Sequence, residues 1–249
     1  MKVGDFANTV VITTNPEASL SEVIDILAHD KTGRVVVMKE ENPIGMISTR
    51  DVVAAFSEHG LNVFNLKAKD IMSEELIKVS VTDDVNYVVR IMAVNGIGGV
   101  PVMDGNVLSG IFTEREVLKL LHSMKFSGLV DSVMSTKVVT IDEESTIVDA
   151  AKLMARHNIR RLPVIKNDKL VGVITAADIV KFLNKVKNVG KTLDAGTKNP
   201  LTIRRYETIS NAVSIMLNRN IGTLPVVENN KIVGIVTERD LMYAYVTLT

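Results

Sequence analysis

The chain repeats itself, and this constrains its fold more than any other feature. Four segments end alike: GMISTRD at 45–51, GIFTERE at 110–116, GVITAAD at 172–178 and GIVTERD at 234–240. Their leading glycines, Gly45, Gly110, Gly172 and Gly234, follow one another at intervals of 65, 62 and 62 residues. Nine residues before each glycine a second block is in register, with Pro101, Pro163 and Pro225 aligned and Val36 holding that place in the first copy. Nine residues further upstream Leu27, Met92, Met154 and Met216 align. Agreement of period and register at this level implies four copies of one supersecondary unit, each too small to bury its own apolar faces and so obliged to share a core.

The local pattern within a copy predicts β-α-β-β-α. A short extended piece such as KVVTI at 137–141 comes first. An amphipathic helix follows: in copy three Ile147, Ala150, Ala151 and Met154 recur at helical spacing, and in copy one Ser19 and Glu22 form a capping box that starts it. Two short strands with a polar Asn/Asp/Lys turn, as in LPVIKNDKLVGVIT, read as a hairpin. A T-x-x-D element then opens a second helix. The expected class is α+β, with repeats at 1–60, 66–123, 129–186 and 191–249. The segment 122–131, with Ser127–Gly128, is expected to separate two pairs of repeats.

Composition narrows the function. Lys+Arg and Asp+Glu each number 29, so the net charge is zero, which argues against a surface built for phosphate backbones. Cysteine is absent, which removes disulfides and thiolate metal sites. The four histidines, His29, His59, His122 and His157, have no paired ligand spacing, so no metal is expected. No apolar run approaches the ~18 residues of a membrane span and the N-terminus has no signal-peptide core, so a cytoplasmic protein is expected. There is no nucleophile–base constellation, P-loop or G-x-G-x-x-G, so an enzyme is not expected.

The order M-S-x-x-h-x-T-h, then L-P-V-h, then G-h-h-T-x-x-D resembles the cystathionine β-synthase (CBS) domain. Copy three shows it most fully, in MSTKVVTI at 134–141, RRLPVI at 160–165 and GVITAAD at 172–178. The resemblance covers essentially the whole chain. It implies CBS-domain pairs packed as two Bateman modules, in a layout similar to the γ subunit of the AMP-activated kinase. It also implies clefts between paired domains that bind adenosine-containing ligands such as AMP, ADP, ATP or S-adenosylmethionine. The implied role is a stand-alone regulator acting on an unidentified partner protein, as a homodimer.

By the same resemblance Asp51, Asp178 and Asp240 would hold the ribose, because a carboxylate accepts both hydrogen bonds of a diol. Ser48, Thr175 and Thr237 would meet ribose or phosphate at a helix start whose amides and dipole suit an anion. Arg34, Arg160, Arg161 and Arg239 would face phosphate with guanidinium forks. Thr13, Thr140, Thr202, Pro163 and Pro225 would line the base pocket. Each assignment has a structural alternative: S/T-x-x-D is also an ordinary capping box, the arginines can be solvated, the threonines fit any strand, and the prolines serve as edge or turn devices. Copy two has Glu116 for Asp and Lys78 for Thr, and copy four has Gly222–Thr223 in place of an arginine pair. Copies three and four are the favoured sites, with copy one next. A ligand-free interaction scaffold is the alternative function.

Overall fold

A computed structural model describes residues 1–73, 75–124 and 126–248, the last by its backbone alone. Glu74, Lys125 within the expected boundary segment, and Thr249 at the end of the expected fourth repeat lie outside the described residues. Each copy follows the predicted plan. Copy one comprises β1 (Thr13–Thr14), α1 (Leu20–His29), β2 (Arg34–Lys39), β3 (Asn42–Ser48) and α2 (Thr49–His59). Copy two, after the short α3 (Ala68–Ile71), has β4 (Val79–Ser80), α4 (Val85–Val94), β5 (Gly99–Asp104), β6 (Val107–Thr113) and α5 (Glu114–Ser123). Copy three has β7 (Ile141–Asp142), α6 (Ile147–His157), β8 (Arg161–Lys166), β9 (Lys169–Thr175) and α7 (Ala176–Val186). Copy four has α8 (Thr192–Ala195), β10 (Thr197–Lys198), α9 (Ile209–Arg219), β11 (Thr223–Glu228), β12 (Lys231–Thr237) and α10 (Glu238–Leu248). The first strand is shorter than the sequence suggests: of KVVTI only Ile141 enters β7.

Local chemistry explains the elements. Ser19 caps α1, its hydroxyl accepting from the Glu22 amide at 3.3 Å while the Glu22 carboxylate accepts from the Ser19 amide at 2.9 Å. The hairpin turns of copies three and four place Asn167–Asp168 and Asn229–Asn230 at φ of 49°, 61°, 49° and 63°. Two successive positive φ values match the twist of the flanking strands, and Asn and Asp tolerate them best after glycine. Helices α6 and α9 end on Asn158 and Asn220, also left-handed at 53° and 51°.

In each copy the first short stretch runs parallel to the first hairpin strand, which pairs antiparallel with the second. A register shift falls at the same place in every hairpin, after Val37, Val102, Val164 and Val226, each opposite a leading glycine. Those glycines admit a passing segment. A Cβ on Gly45 would lie 2.8 Å from the Ser73 carbonyl oxygen, and one on Gly110 would lie 3.0 Å from that of Asn8. On Gly172 it would meet the Thr197 oxygen at 3.0 Å, and on Gly234 the Ser135 oxygen at 3.2 Å. The opening segment of copy two therefore packs on copy one, and that of copy one on copy two. Copies three and four trade theirs in the same way, which ties sequence neighbours into the two Bateman pairs.

The helical cores group the copies differently. One compact body, here the odd body, contains Val11–Leu76 and Val139–Asn199, and so copies one and three. The even body contains Met1–Val10, Ile77–Val138 and the chain from Pro200 onward, and so copies two and four. In the odd body α1 packs on α7 and α2 on α6. Its core includes Ile24, Leu27, Phe56, Met154, Ile179 and Leu183. In the even body α5 and α10 pack together and against α9 and α4, around Met92, Leu118, Leu121, Met216 and Leu241. The aligned Leu27, Met92, Met154 and Met216 are all core residues, at most 2 % exposed. Tyr245 is buried in the even body's core, with its hydroxyl donated to Asn86 Oδ1 at 2.7 Å.

Candidate functional site

Each hydroxyl–carboxylate pair stands where the second hairpin strand runs into the following helix. Strand register decides what faces it. Ser48 is opposite Arg34, Thr113 opposite Gly99, Thr175 opposite Arg161, and Thr237 opposite Thr223. Directly opposed residues of an antiparallel pair point to the same face. In copies one and three, then, the arginine and hydroxyl positions share one side of the sheet.

All four pairs are capping boxes. In copy three the Thr175 amide and hydroxyl both donate to Asp178 Oδ2, at 2.9 and 2.6 Å, and the Asp178 amide donates back to Thr175 Oγ1 at 3.2 Å. Copy four does the same with Thr237 and Asp240 at 2.8, 2.6 and 3.2 Å. In copy one the Ser48 amide and hydroxyl each reach Asp51 Oδ2 at 2.7 Å. In copy two the Thr113 groups reach Glu116 Oε2 at 3.0 and 2.6 Å. The first helical amide is also engaged: Thr49, Glu114, Ala176 and Glu238 donate to the carbonyls of Gly33, Gly98, Arg160 and Gly222, at 3.1, 3.1, 2.8 and 3.1 Å. In copies three and four the first and third amides of the helix are thus used, leaving the second, at Ala177 and Arg239. In those two copies the expectation of a set of unpaired amides for phosphate is corrected, among the described residues, to one amide per helix.

The caps use one carboxylate oxygen, and the copies differ in the fate of the other. Asp240 Oδ1 accepts from the Ser135 hydroxyl at 3.0 Å, and Glu116 Oε1 from Lys119 Nζ at 3.0 Å. Among the described residues Asp51 and Asp178 have no such second partner. Burial pushes the Asp178 carboxyl above the ordinary Asp value, against the opposing pull of its Thr175 bonds. Copies four and two thus differ from copies one and three, among the described residues, in having a bond to the second carboxylate oxygen.

The arginines also divide. Arg34, Arg160 and Arg161 are half-buried. Arg34 Nη1 donates to the Thr32 carbonyl at 3.0 Å. Arg239, expected to meet phosphate, instead gives its Nε to Glu114 Oε1 at 2.9 Å, and Glu114 is 1 % exposed. Arg115 pairs reciprocally with Glu238 Oε1 at 3.1 Å and donates to the Ile221 and Met216 carbonyls, both at 3.1 Å, and to Asn220 Oδ1 at 2.9 Å. Sequence reading missed this exchange, although two Glu-Arg dipeptides at matching helix starts were its signal.

Of the base-pocket candidates, Thr13 and Thr202 are exposed and Thr140 is half-buried, while Pro163 and Pro225 are buried within β8 and β11. Thr223, noted in the sequence only as standing in place of an arginine, is buried, and its Oγ1 has no hydrogen-bond partner among the described residues. His157 is exposed at the end of α6. Among the described residues no helix is long and apolar enough to cross a membrane.

Comparisons with known proteins agree with this geometry. The family model for the CBS domain matches residues 3–58, 68–123, 130–185 and 192–247. Protein MJ1225 of Methanocaldococcus jannaschii is 25 % identical over 267 residues, spanning 94 % of this chain and 95 % of that protein. Its crystal structure, presented as that of a proposed archaeal homologue of γ-AMPK, aligns with a TM-score of 0.89 over 98 % of this chain and 100 % of that one, at 23 % identity. A 33.4 kDa protein from the ribosomal RNA operon of Thermofilum pendens is 27 % identical over 97 % of this chain and 89 % of its own length. The inosine-5'-monophosphate dehydrogenase of Korarchaeum cryptofilum is 31 % identical over 87 % of this chain, but the match covers only 44 % of that enzyme. With all four repeats matched by one family and the whole chain sharing the fold of a CBS-domain relative, the chain belongs to the CBS-domain family.

Proposed function

We propose that this chain is a regulator, not a catalyst, which binds an adenosine-containing ligand (AMP, ADP, ATP or S-adenosylmethionine) and passes the change to a partner protein. The carrying observation is Asp178. Asp178 is half-buried; its Oδ2 is fixed by the helix cap, while its Oδ1 accepts no hydrogen bond among the described residues. A carboxylate held in one orientation with one oxygen open suits a ribose hydroxyl. Thr140, Pro163, Arg160 and Arg161 belong to the same copy, and Asp51 with Ser48 and Arg34 offers the equivalent set in copy one. The ligand acts by binding two arrangements of the chain with different affinity, since equal affinity would shift nothing. Assembly as a homodimer is part of the same proposal and is checked by light scattering.

Calorimetric titration with AMP, ADP, ATP and S-adenosylmethionine tests the reading. At least one is expected to bind, and Asp178→Ala is expected to weaken it. Absence of binding at millimolar concentration would remove the sensor function. Binding indifferent to Asp178→Ala would remove the residue assignment.

A ligand-free interaction scaffold is the second reading, favoured by the use of every T-x-x-D-type carboxylate in a helix cap and by the internal use of Arg239 and Asp240. Adenine absorbance released on denaturing the purified protein discriminates, against a low background because the chain has no Trp and four Tyr.

A further inference from the structure

The repeat lets one helix pair be compared four times. The first helix of one copy packs on the second helix of another: α1 on α7 and α6 on α2 in the odd body, α9 on α5 and α4 on α10 in the even body. Three aligned positions of these pairs are exposed in all four. In α1–α7 they read Glu22, His29 and Lys181; in α6–α2, Asp149, Arg156 and Ala54; in α9–α5, Asn211, Asn218 and Lys119. In α4–α10 they read Tyr87, Val94 and Tyr243. Three pairs thus present at least two charged or amide side chains to water, and the fourth presents none.

Tyr87 also stands where a helix cap would profit from an acid. It is the third residue of α4, and the same position holds Glu22 and Asp149 in the capping boxes of α1 and α6. Copy two gives up that bond for an aromatic ring 57 % exposed. Val94 is 86 % exposed and Tyr243 41 %. Tyr87 and Val94 lie seven residues apart on α4 and share a face, with the half-buried Ile91 between them. Together the three side chains expose roughly 300–400 Å² of mostly apolar surface, a patch large enough to mark an interaction site on a monomer. It is close to half of the ~800 Å² that each partner buries in a stable interface.

The face is complementary to itself in charge. Asp84 and Arg90 stand three residues before and three after Tyr87. Arg90 is exposed and has no ion pair among the described residues. Asp84, the N-cap of α4, holds the Met1 amine at 3.1 Å and is still 54 % exposed. A two-fold contact of α4 with a second α4, centred on Tyr87, sets each Arg90 against the Asp84 of the other copy. The three equivalent faces of the chain are polar, so the patch finds its like only in the same patch of another chain, and a contact of one patch with itself closes at two chains.

We propose that the exposed side of the α4–α10 pair is the surface on which a second copy of this chain docks, by a two-fold contact centred on Tyr87. This rests on the homodimer proposed above and gives that dimer its face; the ligand proposal is independent of it.

Sedimentation of the full chain over a concentration series tests the surface. The wild type is expected to dimerise with a Kd of micromolar order or tighter. Tyr87→Glu and Val94→His write the residues of α1 into α4. Tyr87→Glu is expected to raise the Kd by roughly thirtyfold or more, as for loss of a central interface tyrosine. If Tyr87→Glu does not fold, Val94→His at its largely exposed position carries the test. Tyr206→Glu, at a residue 68 % exposed outside this helix pair, is the control and is expected to leave the dimer unchanged. A wild type that stays monomeric at ~100 μM overturns the inference and the homodimer together, and leaves the face to a different protein. A dimer that Tyr87→Glu and Val94→His leave intact, or that Tyr206→Glu weakens equally, overturns the assignment of the face and keeps the homodimer.

Discussion

Glu114→Ala tests whether the crossed Glu-Arg pairs hold the even body together. The substitution deprives Arg239 Nε of its 2.9 Å acceptor at a place where Glu114 is 1 % exposed and Arg239 is 21 % exposed. Stranding one member of a buried pair costs about 3–5 kcal/mol, and the residual exposure of Arg239 sets the expectation at the lower end, about 3 kcal/mol. For a chain of this size that corresponds to roughly 6–12 °C in melting temperature. Arg239→Ala and the double variant complete a cycle, and the double is expected to lose less than the sum by about 1–3 kcal/mol. Glu17→Ala is the control. Glu17 binds Lys67 and Lys69 at 2.7 and 2.6 Å, closer than the Glu114 pair, and these bonds hold its carboxyl down at about 2. It is exposed, so screening and side-chain entropy offset the attraction and little change is expected. Chemical and thermal denaturation read all four variants. Should Glu114→Ala unfold no earlier than Glu17→Ala, burial would not be what makes these pairs matter.

The repeat glycines should differ in tolerance. Gly45→Ala places a Cβ 2.8 Å from the backbone oxygen of Ser73, whereas Gly234→Ala meets mainly the flexible end of Met134, with the Ser135 oxygen at 3.2 Å. Gly45→Ala is expected to cost about 1–3 kcal/mol by overpacking and Gly234→Ala less; equal melting temperatures would refute the close-approach explanation. Asp178 should leave a signature in pH. Because burial raises its folded value, the native state holds the proton longer than the unfolded chain as pH rises. Its contribution to stability is therefore fullest below the ordinary Asp value and declines as pH climbs through the raised one. Asp178→Asn is expected to remove that part of the slope in urea unfolding at stepped pH, and an unchanged slope would contradict the assignment. A ligand whose hydroxyl donates to the carboxylate favours the charged form, so its affinity is expected to rise through the same window.

Much of the fold was legible because the repeat aligns positions whose physical jobs are local. Ser19 and Glu22 announce a helix start, Asn-Asp and Asn-Asn announce tight hairpins, and Met92, Met154 and Met216 mark one buried helical face. The leading glycines were visible as a pattern without a cause. Their cause is the backbone of a segment about 25 to 100 positions away, for example Ser73 over Gly45 and Asn8 over Gly110, and no local rule supplies such a partner. Core sharing was illegible for the same reason. Neighbouring copies trade opening segments while alternate copies share helices, and a single repeat unit carries apolar faces for both. The Glu-Arg dipeptides did encode one of these pairings. Joined to a copy beginning Ala-Ala, Glu114 would be buried without a counter-charge, at a cost of several kcal/mol.

The opposition between capping and binding at S/T-x-x-D dissolves once the two carboxylate oxygens are counted separately. The cap needs one oxygen, and by binding it through an amide and a hydroxyl it removes the rotational freedom a ligand would otherwise have to remove. On the proposed function, ligand recognition would then fall to the second oxygen. In copy two the longer Glu116 turns that oxygen to Lys119, one turn along the helix, and in copy four Ser135 on a traded segment satisfies it. In copies one and three neither happens among the described residues, although the capping Oδ2 is held there by both an amide and a hydroxyl. Under that proposal the same motif serves only structure in one body and structure plus recognition in the other. What separates the two cases is a neighbour that lies outside the motif, so inspection of the motif alone could not have ranked the four copies.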